Sequence, residues 1–347
     1  MQLDSTTIIK MIRSTIIGAS GYAGAELLRI LSLRNDVSVE KVIAGTAAGK
    51  KVEDLYPAFA GRVDLEFESF ESNHFDEIDV AFVALPSGES MKVVPHLLQS
   101  AKRVIDLSGD FRLSSAELYG QFYKHSHVAP ELLSEAVYGL PELNFDLIAK
   151  AHFVSNPGCY PTSAILALLP ALKSGVVSSK GIVINSLSGV SGAGRSASVE
   201  LSYTEVNENI RAYKINNHQH VPEIQSILEK VTGQTVTFSF IPHLVPLNRG
   251  IYTTIHADLT SSATEKDIFE IYRTFYSKAP FVRIKQQVPQ IKDVVYSNYC
   301  DIGISIEKRT NKLVIISVID NLVKGAAGQA VQNMNIMLGL PQEQGLL

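Results

Sequence analysis

A chain of 347 residues exceeds what one hydrophobic core ordinarily organises, so two domains are expected. Apolar residues at 46% against 19% charged exclude a disordered chain, and a net charge of −4 with interspersed signs offers no basic stripe for nucleic acid. Two cysteines far apart in sequence exclude a disulfide framework and fit reduced thiols. Residues 1–10 lack the basic-then-apolar pattern of a signal peptide. The longest apolar run, 164–172, is too short to span a bilayer and contains Pro170, so a cytoplasmic protein is expected, with no membrane partner.

Residues 14–17 read as a short buried strand running into Gly18-Ala19-Ser20-Gly21-Tyr22-Ala23-Gly24, and a helix follows with Leu27, Leu28, Ile30 and Leu31 on one side. Strand, glycine-rich turn and helix in that order form the phosphate-binding unit of a dinucleotide fold. Gly18 and Gly21 let the backbone approach a pyrophosphate, Gly24 lets the helix pack closely, and the first helical amides point at the anion. Further strands at 39–44, 80–85 and 103–107, with a helix at 90–100, continue a doubly wound sheet. The second strand ends at Gly45-Thr46 without an acid, and Lys50-Lys51 lie just beyond. That pattern favours a ribose 2′-phosphate, hence NADP over NAD; merely solvated lysines are the alternative. Pro86 closes another strand at the ligand-binding edge. Ser108 and Arg112 sit in the turn after the next, where Arg112 is placed to clamp a carboxylate or phosphate or, alternatively, to pair with Asp106 or Asp110.

The run Ser155-Asn156-Pro157-Gly158-Cys159-Tyr160-Pro161-Thr162 presents a cysteine after a Pro-Gly turn, at the start of an apolar helical segment. A thiol there meets unpaired amides, which are expected to lower its pKa and favour the nucleophilic thiolate. A small buried residue opening a core helix is the alternative. Downstream, a strand at 181–187 leads into the small-residue loop 188–195, which ends at Arg195. Strands at 235–241 and 250–259 are joined by 242–249, and 302–307 with 313–320 read as a hairpin around 308–312. These non-local strands imply a mainly antiparallel sheet packed on helices. Residues 325–338 read as a final helix returning to the nucleotide domain. His218 and His220 precede a helix that Pro222 starts. Their spacing fits no metal motif, and an imidazole is the natural proton carrier beside a thiolate, with a surface pair of no role as the alternative. Cys300 reads as structural.

Together these segments closely resemble the N-acetyl-γ-glutamyl-phosphate reductases, NADP-linked enzymes of arginine biosynthesis, from residue 18 to the final helix. The run 156–162 is the most specific part of the match, joined by 18–24, 48–50, 105–112, 188–194, 218–224 and 242–246. The resemblance implies an α/β protein with an N-terminal Rossmann domain (1–157 with 323–347) and an α+β catalytic and dimerisation domain (158–322). It implies reduction of an acyl phosphate by NADPH through a thioester on Cys159, without a metal, in a dimer or tetramer. It makes His218 the acid/base with His220 as runner-up, and Glu223 the group orienting the imidazole. It places the cofactor on Gly18, Ser20, Gly21, Tyr22, Ala23, Gly24, Thr46, Lys50, Pro86, Ser188, Gly189 and Asn333, and the substrate on Ser108, Arg112, Asn156 and Arg195. Gly45-Thr46 departs from relatives, which often carry arginine or serine there. A lysine-pathway homologue acting on an aminoadipyl phosphate, a non-catalytic NADP-binding regulator and a related aspartate-semialdehyde dehydrogenase are the other readings.

Overall fold

The structure is a computed structural model that describes residues 11–70, 75 and 77–347; the 1–10 segment read above for a signal pattern lies outside them. Strands β1 (Ile12–Ile17), β2 (Val37–Ile43), β3 (Phe67–Glu68), β4 (Val80–Val83), β5 (Val104–Asp106), β6 (Val137–Tyr138) and β7 (Phe153–Ser155) form a parallel sheet in the order β3-β2-β1-β4-β5-β7-β6. Its order reverses between β1 and β4, the point where such sheets open a crevice for a nucleotide. The first helix, α1 (Tyr22–Leu31), follows β1 directly and buries Leu27, Leu28, Ile30 and Leu31. Gly18 turns the chain between them at φ +88°, and a Cβ on it would meet Ala84 O at 2.3 Å. A Cβ on Gly24 would meet Gly18 O at 2.4 Å, so no side chain fits where α1 crosses the turn.

Four more helices cover this half: α2 (Val52–Leu55), α3 (Ser90–Ser100), α4 (Ala116–Tyr123) and α5 (Pro141–Lys150). Strands β3, β6 and β7 are absent from the sequence reading. Two of them are only two residues long, too short for any periodicity, and β7 is the strand that delivers the Cys159 turn.

The helix α6 (Cys159–Lys173) links the halves and is buried at every residue from Tyr160 to Leu172. It lies against a second sheet built from β8 (Ile182–Gly189), β9 (Arg211–Ala212), β10 (Phe238–Val245), β11 (Ile251–Asp258), β12 (Val282–Lys285), β13 (Cys300–Glu307) and β14 (Lys312–Ile319), ordered β12-β13-β14-β11-β8-β10-β9. Four of its six pairings are antiparallel; β10 with β8 and β12 with β13 are parallel. The short α7 (Tyr203–Val206) lies in the excursion between β8 and β9, while α8 (His220–Thr232) and α9 (Glu265–Phe275) contribute Ile224, Leu228, Ile268 and Tyr272 to the same core as α6.

Strands β9 and β12 are likewise absent from the sequence reading, and two further details differ from it. β10 runs through Pro242 to Val245 instead of ending before it, because β8 pairs with it residue by residue to Gly189 and sits between β10 and β11. The last helix begins as a π turn (Val323–Ala327) before α10 (Gly328–Met337), and both join the core of the first sheet through Val323, Ala327, Ala330, Val331 and Met334. Among the described residues no helix is long and apolar enough to cross a membrane.

Candidate active site

β7 ends at Ser155, and Asn156-Pro157-Gly158 turns the chain so that Cys159 is the first residue of α6. The turn is held from below. Gly158 donates its amide to Glu223 Oε1 at 2.9 Å, and Tyr138 donates to the same oxygen at 2.8 Å. Arg112 Nη1 lies 3.5 Å from Glu223 Oε2, while Nε and Nη2 donate to the carbonyls of Asn156 and Leu107 at 2.9 and 2.7 Å. Burial works against the Arg112 charge, but Glu223, with smaller contributions from Tyr123, Tyr138 and Asp106, outweighs it and raises the guanidinium pKa. Behind the turn, Asn156 donates to Ala326 O and accepts from Asn333, which also donates to Gly139 O.

Cys159 borders a cavity of about 540 Å³ whose walls include Tyr160, Ser188, Arg211, Tyr213, Lys214, His218 and His220. Both imidazoles are buried, with 3% and 8% of their surfaces exposed, which removes the surface-pair alternative. His218 Nδ1 accepts the His220 amide at 3.1 Å, so its ring proton resides on Nε2. Tyr160, Tyr213 and Phe240 pack edge-on around it. His220 turns its Nε2 to Gly158, where a Cβ would meet it at 2.5 Å, and its buried Nδ1 has no hydrogen-bond partner. Burial, reinforced by Lys214, lowers His218 to about 3. Burial also places His220 well below its ordinary value, with His218, Arg112 and Lys214 adding to the effect. Both rings are therefore neutral at pH 7.

The thiol departs from the sequence expectation. Burial pushes Cys159 up to about 11, against the pull of Arg112 and the Tyr160 amide. The helix N-terminus acts in the expected direction but is outweighed by desolvation. The resting pair is a thiol beside neutral imidazoles.

Other predicted positions fall in three places. Ser20, Gly21, Tyr22 and Ala23 form the turn and first turn of α1, where no acid and no capping side chain occupies the amides. Thr46 and Lys50 are exposed beyond the end of β2, and Lys50 has no ion pair among the described residues. Pro86 is exposed past the end of β4, and Ser188 and Gly189 end β8, with Ser188 on the cavity wall.

The expected substrate residues all have partners within the protein. Ser108 donates to Asp106 and accepts from the Asp110 amide, and Arg112 and Asn156 are engaged as above; none of the three lines the cavity. Arg195 instead reaches Ser20 O at 3.2 Å and stacks over Tyr56. Glu223 holds the Cys159 turn and hydrogen-bonds neither imidazole. The sequence reading missed the cavity cations Arg211 and Lys214, which precede the histidines in a stretch with no motif. Among the described residues no group of three His, Cys, Asp or Glu side chains is placed to hold a metal ion.

Residues 13–151 match the family described as semialdehyde dehydrogenase, NAD binding domain, and residues 159–321 match semialdehyde dehydrogenase, dimerisation domain. Among solved structures, an aspartate semialdehyde dehydrogenase II of Vibrio cholerae aligns at TM-score 0.73 with 17% identity over 95% of this chain and 99% of that one. A Candida albicans aspartate semialdehyde dehydrogenase with NADP aligns at 0.71 with 16% identity over 94% and 99%. These two establish the fold. The sequence relatives go further: the N-acetyl-gamma-glutamyl-phosphate reductase of Citrifermentans bemidjiense is 47% identical over 97% of this chain and 98% of its own length. That of Pelotomaculum thermopropionicum is 46% identical over 96% and 97%. With a cysteine and two buried imidazoles on one cavity and near full-length identity at this level, the chain belongs to the N-acetyl-gamma-glutamyl-phosphate reductase family.

Proposed function

We propose that this protein reduces N-acetyl-L-glutamyl 5-phosphate with NADPH to N-acetyl-L-glutamate 5-semialdehyde and phosphate, through a thioester on Cys159, in arginine biosynthesis. The supporting observation is the single cavity shared by Cys159, His218 and His220. The relatives at 46–47% identity are named for the acetylglutamyl substrate, which favours it over the aminoadipyl homologue.

The residues fit the cofactor. The glycine turn leaves backbone amides at the start of α1 for the pyrophosphate, with only Gly18 O, at 3.5 Å, near a Cβ built on Gly21. Thr46 and Lys50 take the 2′-phosphate. Pro86, Ser188 and Gly189 border the path toward Cys159, and Asn333 keeps a buried Oδ1 without a partner for the carboxamide of the nicotinamide. When bound, NADPH supplies the hydride that reduces the thioester carbon.

The chain's own groups do the rest. The Cys159 sulfur attacks the acyl carbon, and its proton passes to His220, whose Nδ1 is unpartnered. As the C–O bond to phosphate breaks, that proton leaves with the phosphate, giving the thioester. After reduction, the Nε2–H of His218 hydrogen-bonds the developing alkoxide; a neutral ring does this without giving up its proton. The carbonyl re-forms as the C–S bond breaks, and the sulfur takes one proton from solvent. Ser108, Arg112, Asn156 and Glu223 are positioning residues for the turn, and Arg195 joins the cavity segment to the glycine turn.

The proposed domains are 1–157 with 323–347 for the nucleotide and 158–322 for catalysis, in a cytoplasmic homo-oligomer. The test is phosphate-dependent reduction of NADP+ by N-acetyl-glutamate semialdehyde, for the native protein and Cys159→Ala. Activity in the first and its loss in the second are expected. No activity in the native protein, or full activity in the variant, overturns the reading.

A further inference from the structure

The acyl phosphate carries its two negative charges beside the carbon that Cys159 attacks, so the cavity needs a cation at that end. Arg112, the guanidinium nearest the Cys159 turn, does not supply one. It lies outside the cavity lining, its charge is paired with Glu223, and two of its nitrogens are bound to backbone carbonyls. Two cations do line the cavity, Arg211 and Lys214. Arg211 is compensated, with Nη2 3.7 Å from the Glu200 carboxylate and donating to the Glu200 carbonyl at 2.9 Å. Lys214 is not. Its ammonium donates only to the neutral carboxamide of Gln219 at 3.1 Å, and no carboxylate pairs with it among the described residues.

The backbone of Lys214 is unusual as well. It holds φ +46° in the turn between β9 and α8, and Asn216 holds +66° two residues on. Side-chain-bearing residues are uncommon in that region, and such strain collects at ligand sites. Tyr213 donates its amide to Pro242 O, and Asn217 donates to Lys214 O, so the turn is tied at both ends. Lys214 is also near the reacting end: its charge contributes to keeping both His218 and His220 deprotonated.

We infer that Lys214 is the phosphate-recognition residue of this site, holding the phosphoryl group of the acyl phosphate in one direction and inorganic phosphate in the other. This rests on the reaction assigned above. An ammonium on a flexible stem suits a group that must arrive bound to carbon and depart free.

The test uses the full-length protein in the phosphate-dependent direction, with native, Lys214→Gln and Lys214→Arg forms. In Lys214→Gln the KM for inorganic phosphate should rise at least about tenfold, with the KM for NADP+ and for the aldehyde within about twofold, and Lys214→Arg should recover most of the loss. An activity-independent readout is protection of Cys159 from iodoacetamide by inorganic phosphate, present in the native protein and absent in Lys214→Gln. An unchanged phosphate KM with protection retained overturns the inference while leaving the reaction intact. A rise confined to the aldehyde KM overturns it too, because Lys214 would then read the substrate's carboxylate. A native protein without phosphate-dependent turnover defeats the reaction itself, a distinguishable result.

Discussion

Glu223 Oε1 receives the amide of Gly158 at 2.9 Å, one residue before the nucleophile, while Oε2 faces Arg112 at 3.5 Å. One buried carboxylate thus fixes the Cys159 turn and neutralises the cation beneath it. Removing one member of a buried ion pair strands the other, at about 3–5 kcal/mol. Glu223→Met is expected to lower stability by about 3 kcal/mol or more, followed by urea unfolding with circular dichroism. The double variant Arg112→Met/Glu223→Met should recover part of that loss, because neither charge is left buried. A single variant within about 0.5 kcal/mol of native would show that the pair does not hold the turn.

That relationship also marks the limit of what the sequence discloses. The glycine turn is legible because Gly18 and Gly24 answer local steric demands, and the Pro-Gly-Cys turn because a helix follows at once. The β13–β14 hairpin is legible because its strands are adjacent in sequence. Arg112 and Glu223 belong to different sheets' elements and meet only when both halves have folded, so Arg112 reads from sequence as a free clamp. The same applies to the thiol: helix position is a local property, but the desolvation that overrides it comes from the whole cavity. Lys214 carries no motif, and only the cavity wall singles it out.

The thiol itself can be titrated. With Cys159 pushed up to about 11, its thiolate fraction at neutral pH is smaller than that of an ordinary cysteine near 8.5. Iodoacetamide labelling of Cys159, followed by peptide mass, should accelerate continuously from pH 7 to 10. Cys300, buried and pushed up to about 12, should label more slowly. A labelling rate that levels off below pH 8 would mean a preformed thiolate and overturn the neutral-pair reading.

The imidazoles give a stability profile of known sign. His218 has a folded pKa of about 3 against about 6.5 unfolded, and His220 is shifted the same way. Between pH 6.5 and 3 the unfolded chain binds protons that the folded chain refuses, so stability is complete above 6.5 and declines as pH falls. His218 contributes up to about 1.4 kcal/mol per pH unit in that window, and His220 acts in the same direction. Urea midpoints measured from pH 7 to pH 4.5 should fall more steeply for the native protein than for His218→Gln. Parallel slopes would mean that His218 is not held neutral by burial.

Gly325 provides the sharpest packing test. It lies in the π turn before α10, and a Cβ built on it would stand 2.8 Å from Cys159 Cβ and 3.3 Å from Asp320 O. Asp320 cannot yield readily, since its carbonyl accepts the Gly325 amide and its carboxylate accepts the amides of Leu322 and Tyr296. An added methyl must therefore displace Cys159, and a misplacement near 1 Å costs about 10²-fold in rate. Overpacking of this size costs about 1–3 kcal/mol in stability, which leaves most of a folded population. Gly325→Ala is expected to remain folded by circular dichroism and to lose about a hundredfold in kcat with little change in the KM for NADP+. Gly120→Ala, in α4 with its nearest Cβ neighbour at 3.5 Å, is the control and should keep native activity. Equal activity in the two variants would mean that the π turn does not set the position of the nucleophile.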